Sequence, residues 1–227
     1  MQFAVPKACA LISGVLAATL CLYSQDAPTP ASRPNEALAG IPPRAAPSDY
    51  PVQGKAGNVT IAAEFKGHFL PTPEGTLTSE DFVAVEVGMF GAPSAKLTLS
   101  VGDFSLRING KKNPLPSQSY ILMASSLKDP EWEPPTPPAS KNKTSFSGGG
   151  GGGQSDNTPP PPVHVPVETR RGWVARVQKA SLAEGDRALP QAGLIYFPYR
   201  GQDKSIDSIE LTYKGPAGQT TLTLNPR

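Results

Sequence analysis

Cysteine is nearly absent from this chain. Its 227 residues include two, Cys9 and Cys21, and both lie in one apolar N-terminal stretch. If that stretch is removed, no thiol is left to form a disulfide, hold zinc or an iron–sulfur cluster, or act as a nucleophile. Histidine is almost as scarce, with His68 and His164 alone and far apart. Neither has a second histidine or an acidic ligand at metal spacing. No G-x-S-x-G elbow occurs, which removes the sequence signal for a serine hydrolase. Net charge is small. Without residues 1–24 the chain loses Lys7 and no acid, leaving 20 basic against 19 acidic residues, or +1. A field that weak does not gather nucleic acid or an anionic membrane. No cofactor or metal site is expected, and no catalytic residue is assigned.

Proline and glycine are what the chain has in quantity, with 27 and 22 residues. They concentrate between Asp129 and Pro166, with Pro134-Pro135, Pro137-Pro138, the glycine run Gly148 to Gly153 and the proline run Pro159 to Pro162. Phosphate-binding glycine loops need fixed spacing and a following Lys-Ser/Thr. Here Gln154-Ser155-Asp156 follows, so a spacer is the better reading. Pro159 to Pro162 favours an extended polyproline II spacer, with docking on an aromatic groove as the lesser use.

The N-terminus has the pattern of an export signal: Lys7, an apolar run from Ala8 to Leu22, then the small residue Ser24. Cleavage near Ser24–Gln25 is expected, giving a secreted or periplasmic protein without membrane insertion. At about fifteen residues the run is short for a bilayer span, yet an uncleaved anchor is a competing reading. A lipoprotein at Cys21 is a third, weakened by Leu20 where a small residue normally stands. Residues 25–54 are rich in Pro, Ala, Ser and Arg, and are expected to form a disordered tether.

Short alternating apolar segments flank the insertion. Val59, Ile61 and Ala63 share one face of a strand, as do Val83, Val85 and Val87 within Phe82 to Phe90. Leu97, Leu99 and Val101 repeat the pattern, and so do Phe104, Leu106 and Ile108. Asn109-Gly110 then signals a tight hairpin, with Lys111-Lys112 beginning the return strand. Tyr120 to Ala124 reads as a buried strand. After the insertion Trp173, Val177 and Ala180 fall at helical spacing within Glu168 to Leu182, with Glu184-Gly185 as the stop. Arg170, Arg171, Arg176 and Lys179 mostly occupy the wet side of that helix. Strands resume over Leu194 to Tyr199, Ser205 to Tyr213 and Gln219 to Leu224, with a turn at Gly215 to Gly218.

Phe104, Leu106, Gly110 and Lys111, then Gly193 and Phe197, then Leu211 and Tyr213 carry a resemblance. The stretches Asp103–Leu115, Ala192–Gly201 and Ser208–Gly218 resemble the immunoglobulin-like, telokin-like domains of unknown function in secreted bacterial proteins. The resemblance implies a mainly β, immunoglobulin-like β-sandwich in the cell envelope and brings no catalytic residues. The expected organisation is a signal peptide (1–24), a tether (25–54), the first part of the sandwich (55–128), a disordered insertion (129–166), and one short helix with the last strands of the same sandwich (167–227).

The function read from this is structural or partner-binding, non-enzymatic, with an unknown protein or glycan as partner; the oligomeric state is left open. The competing class is a small hydrolase or metal-dependent enzyme, in which His68 would be joined by carboxylates such as Glu80, Asp81 or Glu86. Deleting Pro134 to Pro161 is expected to leave the melting temperature nearly unchanged. A large drop in a thermal scan would show that the insertion packs into the core.

Overall fold

The computed structural model describes residues 40–135 and 164–226. The leader, the tether as far as residue 39 and the insertion over 136–163 lie outside them. The fold is mainly β. One four-stranded antiparallel sheet has the order β1 (Val52–Ala56), β2 (Val59–Gly67), β5 (Phe82–Phe90), β11 (Gln191–Pro198). A second has the order β13 (Gly218–Leu224), β12 (Ile209–Gly215), β7 (Phe104–Ile108), β8 (Leu115–Pro116). A small sheet joins β3 (Phe69–Thr72), β4 (Gly75–Ser79) and β9 (Leu127–Lys128), and β6 (Lys96–Leu99) pairs with β10 (Gly185–Ala188).

The expected alternation is what brings the two large sheets face to face. Val59, Ile61 and Ala63 of β2, Val83, Val85 and Val87 of β5, and Ile195 and Phe197 of β11 point one way. They meet Phe104, Leu106 and Ile108 of β7 and Ile209, Leu211 and Tyr213 of β12, and all are buried. Segments on either side of the insertion are direct neighbours here. β5 pairs with β11 from Phe82↔Pro198 to Met89↔Gln191, and β7 pairs with β12 from Phe104↔Tyr213 to Ile108↔Ile209.

The first sheet is also buried on its other face, where a second apolar cluster forms. Ala84 of β5 and Leu194 and Tyr196 of β11 pack there against Leu70, Leu77, Met123, Trp173, Val177 and Ala180. Three of these belong to α1 (Val167–Ala180), the single α-helix among the described residues. Its buried side chains are Trp173, Val177 and Ala180, as the spacing predicts. Glu168 in the first turn and Lys179 in the last suit the helix dipole. The helix stops earlier than Glu184-Gly185. Ser181 turns extended, its hydroxyl bonds the Val177 carbonyl at 2.8 Å, and the chain runs beside Leu194. Gly193 permits that approach: a Cβ there would lie 2.3 Å from the Leu182 Cα and 2.4 Å from its nitrogen, backbone atoms with no room to yield.

Several elements differ from the sequence expectations. Residues 40–54 are not tether. Ile41 bridges to Ala192, Tyr50 is buried, and Val52 begins β1. Part of their hold is ionic, which a count of apolar residues does not register. Glu64 and Glu86 stand opposite each other on neighbouring strands, an unfavourable pair by themselves. Lys66 lies 2.8 Å from one and 2.9 Å from the other. Arg44 bridges the same two carboxylates, binds the Asp49 carbonyl at 2.6 Å and lies 4.2 Å from the centre of the Tyr50 ring. Burial disfavours the Arg44 charge, but both carboxylates hold its proton more firmly and carry it above its ordinary value.

Tyr120–Met123 is a 3₁₀ turn and not a strand. The Ser119 hydroxyl accepts the Ile121 N–H, and of the four residues in the turn only Met123 is buried. The stretch between Gly67 and Asp81 holds the β3–β4 hairpin. Pro71 fits because β3 is an edge strand. At the near end of the insertion Asp129 pairs with Arg176 at 2.8 Å, and Trp132 meets Trp173 edge-on with ring centres 6.1 Å apart. Residues 129–132 therefore belong to the packed body.

Tyr196 sits at the centre of the second cluster, 2% exposed. Its hydroxyl donates to the Val177 carbonyl at 3.2 Å and lies 3.1 Å from the Ser181 hydroxyl. Burial raises its phenol well above the ordinary 10.0, partly offset by Ser181. A phenol with a raised folded-state value contributes stability that is intact below the unfolded value and is lost as pH climbs past it. Chemical-denaturation midpoints are therefore expected to fall as pH rises above 10.0. Tyr196→Phe should flatten that fall while costing about 1 kcal/mol at neutral pH. Identical alkaline slopes in the two proteins would contradict this.

Candidate binding groove

A depression of about 780 Å³ opens at one end of the face-to-face sheets. Such a volume lies in the range of ligand sites, about 300–1,000 Å³. Four segments build it. They are the start of β5 (Asp81, Phe82), the turn between β7 and β8 (Lys111, Asn113, Leu115), the 3₁₀ turn and its exit (Leu122, Ser125), and the exit of β11 (Pro198 to Gly201). The antiparallel register Phe82↔Pro198 puts the first and last of these side by side.

Asn109 shapes one wall. Asn109 and Gly110 both have positive φ, +52° and +62°, as the hairpin signal requires. The return differs from expectation, because Leu115 is the residue that pairs with Leu106 and Lys111 and Lys112 lie outside the ladder. The Asn109 side chain spans to the opposite loop instead. Its amide donates to the Ser205 carbonyl at 2.8 Å, and its oxygen accepts from Asp207 and Ser208 at 2.8 and 3.2 Å. The Lys111 N–H bonds the Ile108 carbonyl at 3.2 Å to close the turn, and Lys111 and Asn113 line the groove beyond it.

His68 holds the other wall from behind. Its side chain is 19% exposed. Nδ1 lies 2.7 Å from the Ser79 carbonyl and 3.0 Å from that of Phe82, while Nε2 lies 2.7 Å from the Gly201 carbonyl. The ring also stacks near Tyr199, with centres 6.1 Å apart. Gly67, at φ +63°, leaves space for Asp203, whose carboxylate oxygens lie 2.5–2.9 Å from where a Cβ would stand. Asp203 is the carboxylate that reaches the imidazole, at 3.7 Å.

The carboxylates proposed from sequence are engaged elsewhere. Glu80 pairs with Lys128, Asp81 with Arg200, and Glu86 with Arg44 and Lys66. Among the described residues no group of three His, Cys, Asp or Glu side chains could hold a metal ion. His164 is exposed. The basic residues of α1 divide their work: Arg176 binds Asp129 in a largely buried pair, Lys179 binds Glu74, and Arg171 binds Glu168 in the exposed first turn. Asp203 had no local signal, since it lies 135 residues from His68.

No protein-family model matches the chain, and neither curated proteins nor solved structures match it.

His68→Ala is expected to lower stability by about 2 kcal/mol, because three carbonyls and the Asp203 carboxylate lose their common neighbour. Amide exchange should quicken most at Tyr199 to Asp203. Exchange unchanged in that loop would show that His68 does not hold the wall.

Proposed function

We propose that this chain is an exported, non-enzymatic, immunoglobulin-like β-sandwich module that binds a partner, protein or glycan, in the cell envelope or outside the cell. The observation that carries the binding reading is the groove itself. It is a preformed concavity with an apolar floor and a polar rim, built by loops on a rigid pair of sheets. The immunoglobulin-like reading is supported by the neighbouring places of the resembling residues. Tyr213 and Leu211 of β12 stand opposite Phe104 and Leu106 of β7, with the two aromatic rings 5.0 Å apart. The export reading rests on the apolar run Ala8 to Leu22. That same run is what favours the uncleaved-anchor reading, and no helix among the described residues is long and apolar enough to cross a membrane.

The hydrolase or metal-enzyme reading needs a histidine free to move protons beside a carboxylate. His68 instead spends its ring nitrogens on backbone carbonyls, and Glu80, Asp81 and Glu86 face cations. The binding reading accounts for the same residues as wall and rim.

The test is affinity capture from envelope extracts with the exported chain and with Leu122→Asp. A partner retained by the first and lost by the second is the expected result. Equal capture by both would move the site away from the groove. Ester or amide hydrolysis abolished by His68→Ala would favour the enzyme. N-terminal sequencing of the exported product should begin near Gln25, whereas a start at Met1 would favour the anchor.

A further inference from the structure

Resting on the binding reading, the chemistry of the groove narrows the partner to one class. Its floor includes Phe82, Leu115, Leu122 and Pro198. Leu122 is 57% exposed and its neighbour Ile121 is 62% exposed, so two large aliphatic side chains stand in water side by side. They are not on loose chain. Met123, next in sequence, is fully buried, and the Ser126 hydroxyl binds the Met123 carbonyl and lies 2.8 Å from that of Ser79. An apolar ridge kept rigid and wet is a feature that association relieves.

The rim supplies the second half. Arg200 is tied to Asp81 at 2.8 Å, so those two charges offset each other. The side chains of Lys111 and Asn113 have no hydrogen-bond or ion partner among the described residues, and Lys112 beside them is exposed. The net result is an unneutralised cation and a free amide above an apolar floor. Sugar recognition is served less well, because the Tyr199 hydroxyl is already 3.1 Å from the Ser205 hydroxyl and its ring stacks near His68. A peptide supplies what is missing: an apolar side chain for the floor, a backbone amide for Asn113 and a carboxylate for Lys111.

We propose that the groove binds an acidic peptide segment of a partner protein, with an apolar side chain resting on Leu122, Phe82 and Leu115 and a neighbouring carboxylate held by Lys111.

The experiment is selection of a phage-displayed random heptapeptide library on the immobilised chain, followed by binding of the selected synthetic peptides. Enrichment of Asp or Glu beside Leu, Ile or Phe is expected. Leu122→Asp should weaken those peptides about tenfold or more, as loss of a central anchor does. Lys111→Glu, at an exposed position, should weaken them about fivefold and turn selection towards Lys and Arg. Peptides without acidic preference, or acidic peptides indifferent to both substitutions, overturn the proposal while a binding module remains. A chain that takes no peptide but binds a panel of soluble glycans also overturns it, again sparing the module. Binding of neither class overturns both readings.

Discussion

Strand β5 is buried on both faces, and the rest of the molecule follows from covering it. Of its nine residues, Val83 through Met89 are buried. A strand in that position cannot serve a sheet with one wet side. The face carrying Val83, Val85 and Val87 is closed by the second sheet. The face carrying Ala84 and Glu86 needs other material, and three pieces supply it: the helix, the β3–β4–β9 sheet and the segment that enters at Gly40. The last is fastened by charges. Removing Arg44 would take one of the cations from between the opposed Glu64 and Glu86, and like charges facing each other across neighbouring strands are unfavourable.

The same double covering fixes the groove. Its floor uses the ends of β5 and β11, central strands whose backbone is held on both sides. Its rim uses turns held by side chains with distant partners: Asn109 on the 205–208 loop, and His68 on Ser79, Phe82 and Gly201. Neither residue needs to touch a ligand to matter, because each sets where the exposed residues stand. Lys111 follows the turn that Asn109 anchors, and Tyr199 stacks near the His68 ring.

What sequence reading caught and missed divides along a physical line. Period-two alternation is a strong local signal when one face is apolar. It placed the inward residues of β2, β5 and β7 correctly. Helical spacing did the same for Trp173, Val177 and Ala180. The misses are elements whose stability is not written locally. The segment from Gly40 to Gly54 is held by an arginine whose partners are 20 and 42 residues away. The β3–β4 hairpin is short, carries Pro71 and alternates weakly. Tyr120 to Ala124 has the composition of a strand, but Ser119 caps it into a turn and two of its apolar side chains face out. The groove was illegible for a related reason: four loops from distant parts of the chain meet there, and none carries a motif alone.

The pairing of β5 with β11 bears on how the chain can fold. Phe82 and Pro198 are partners, so the central strand has one neighbour from its own half and must wait for the other until nearly the whole polypeptide is present. Contacts that close so large a loop are slow to form, because chain entropy is lost before any pairing is gained. In the interval the chain would expose an unpaired strand edge together with the three valines of β5 on one side, the kind of surface that chaperones shield and that self-associates when they do not. Synthesis proceeds from the N-terminus, so the vulnerable period is set by the distance between these two strands along the chain.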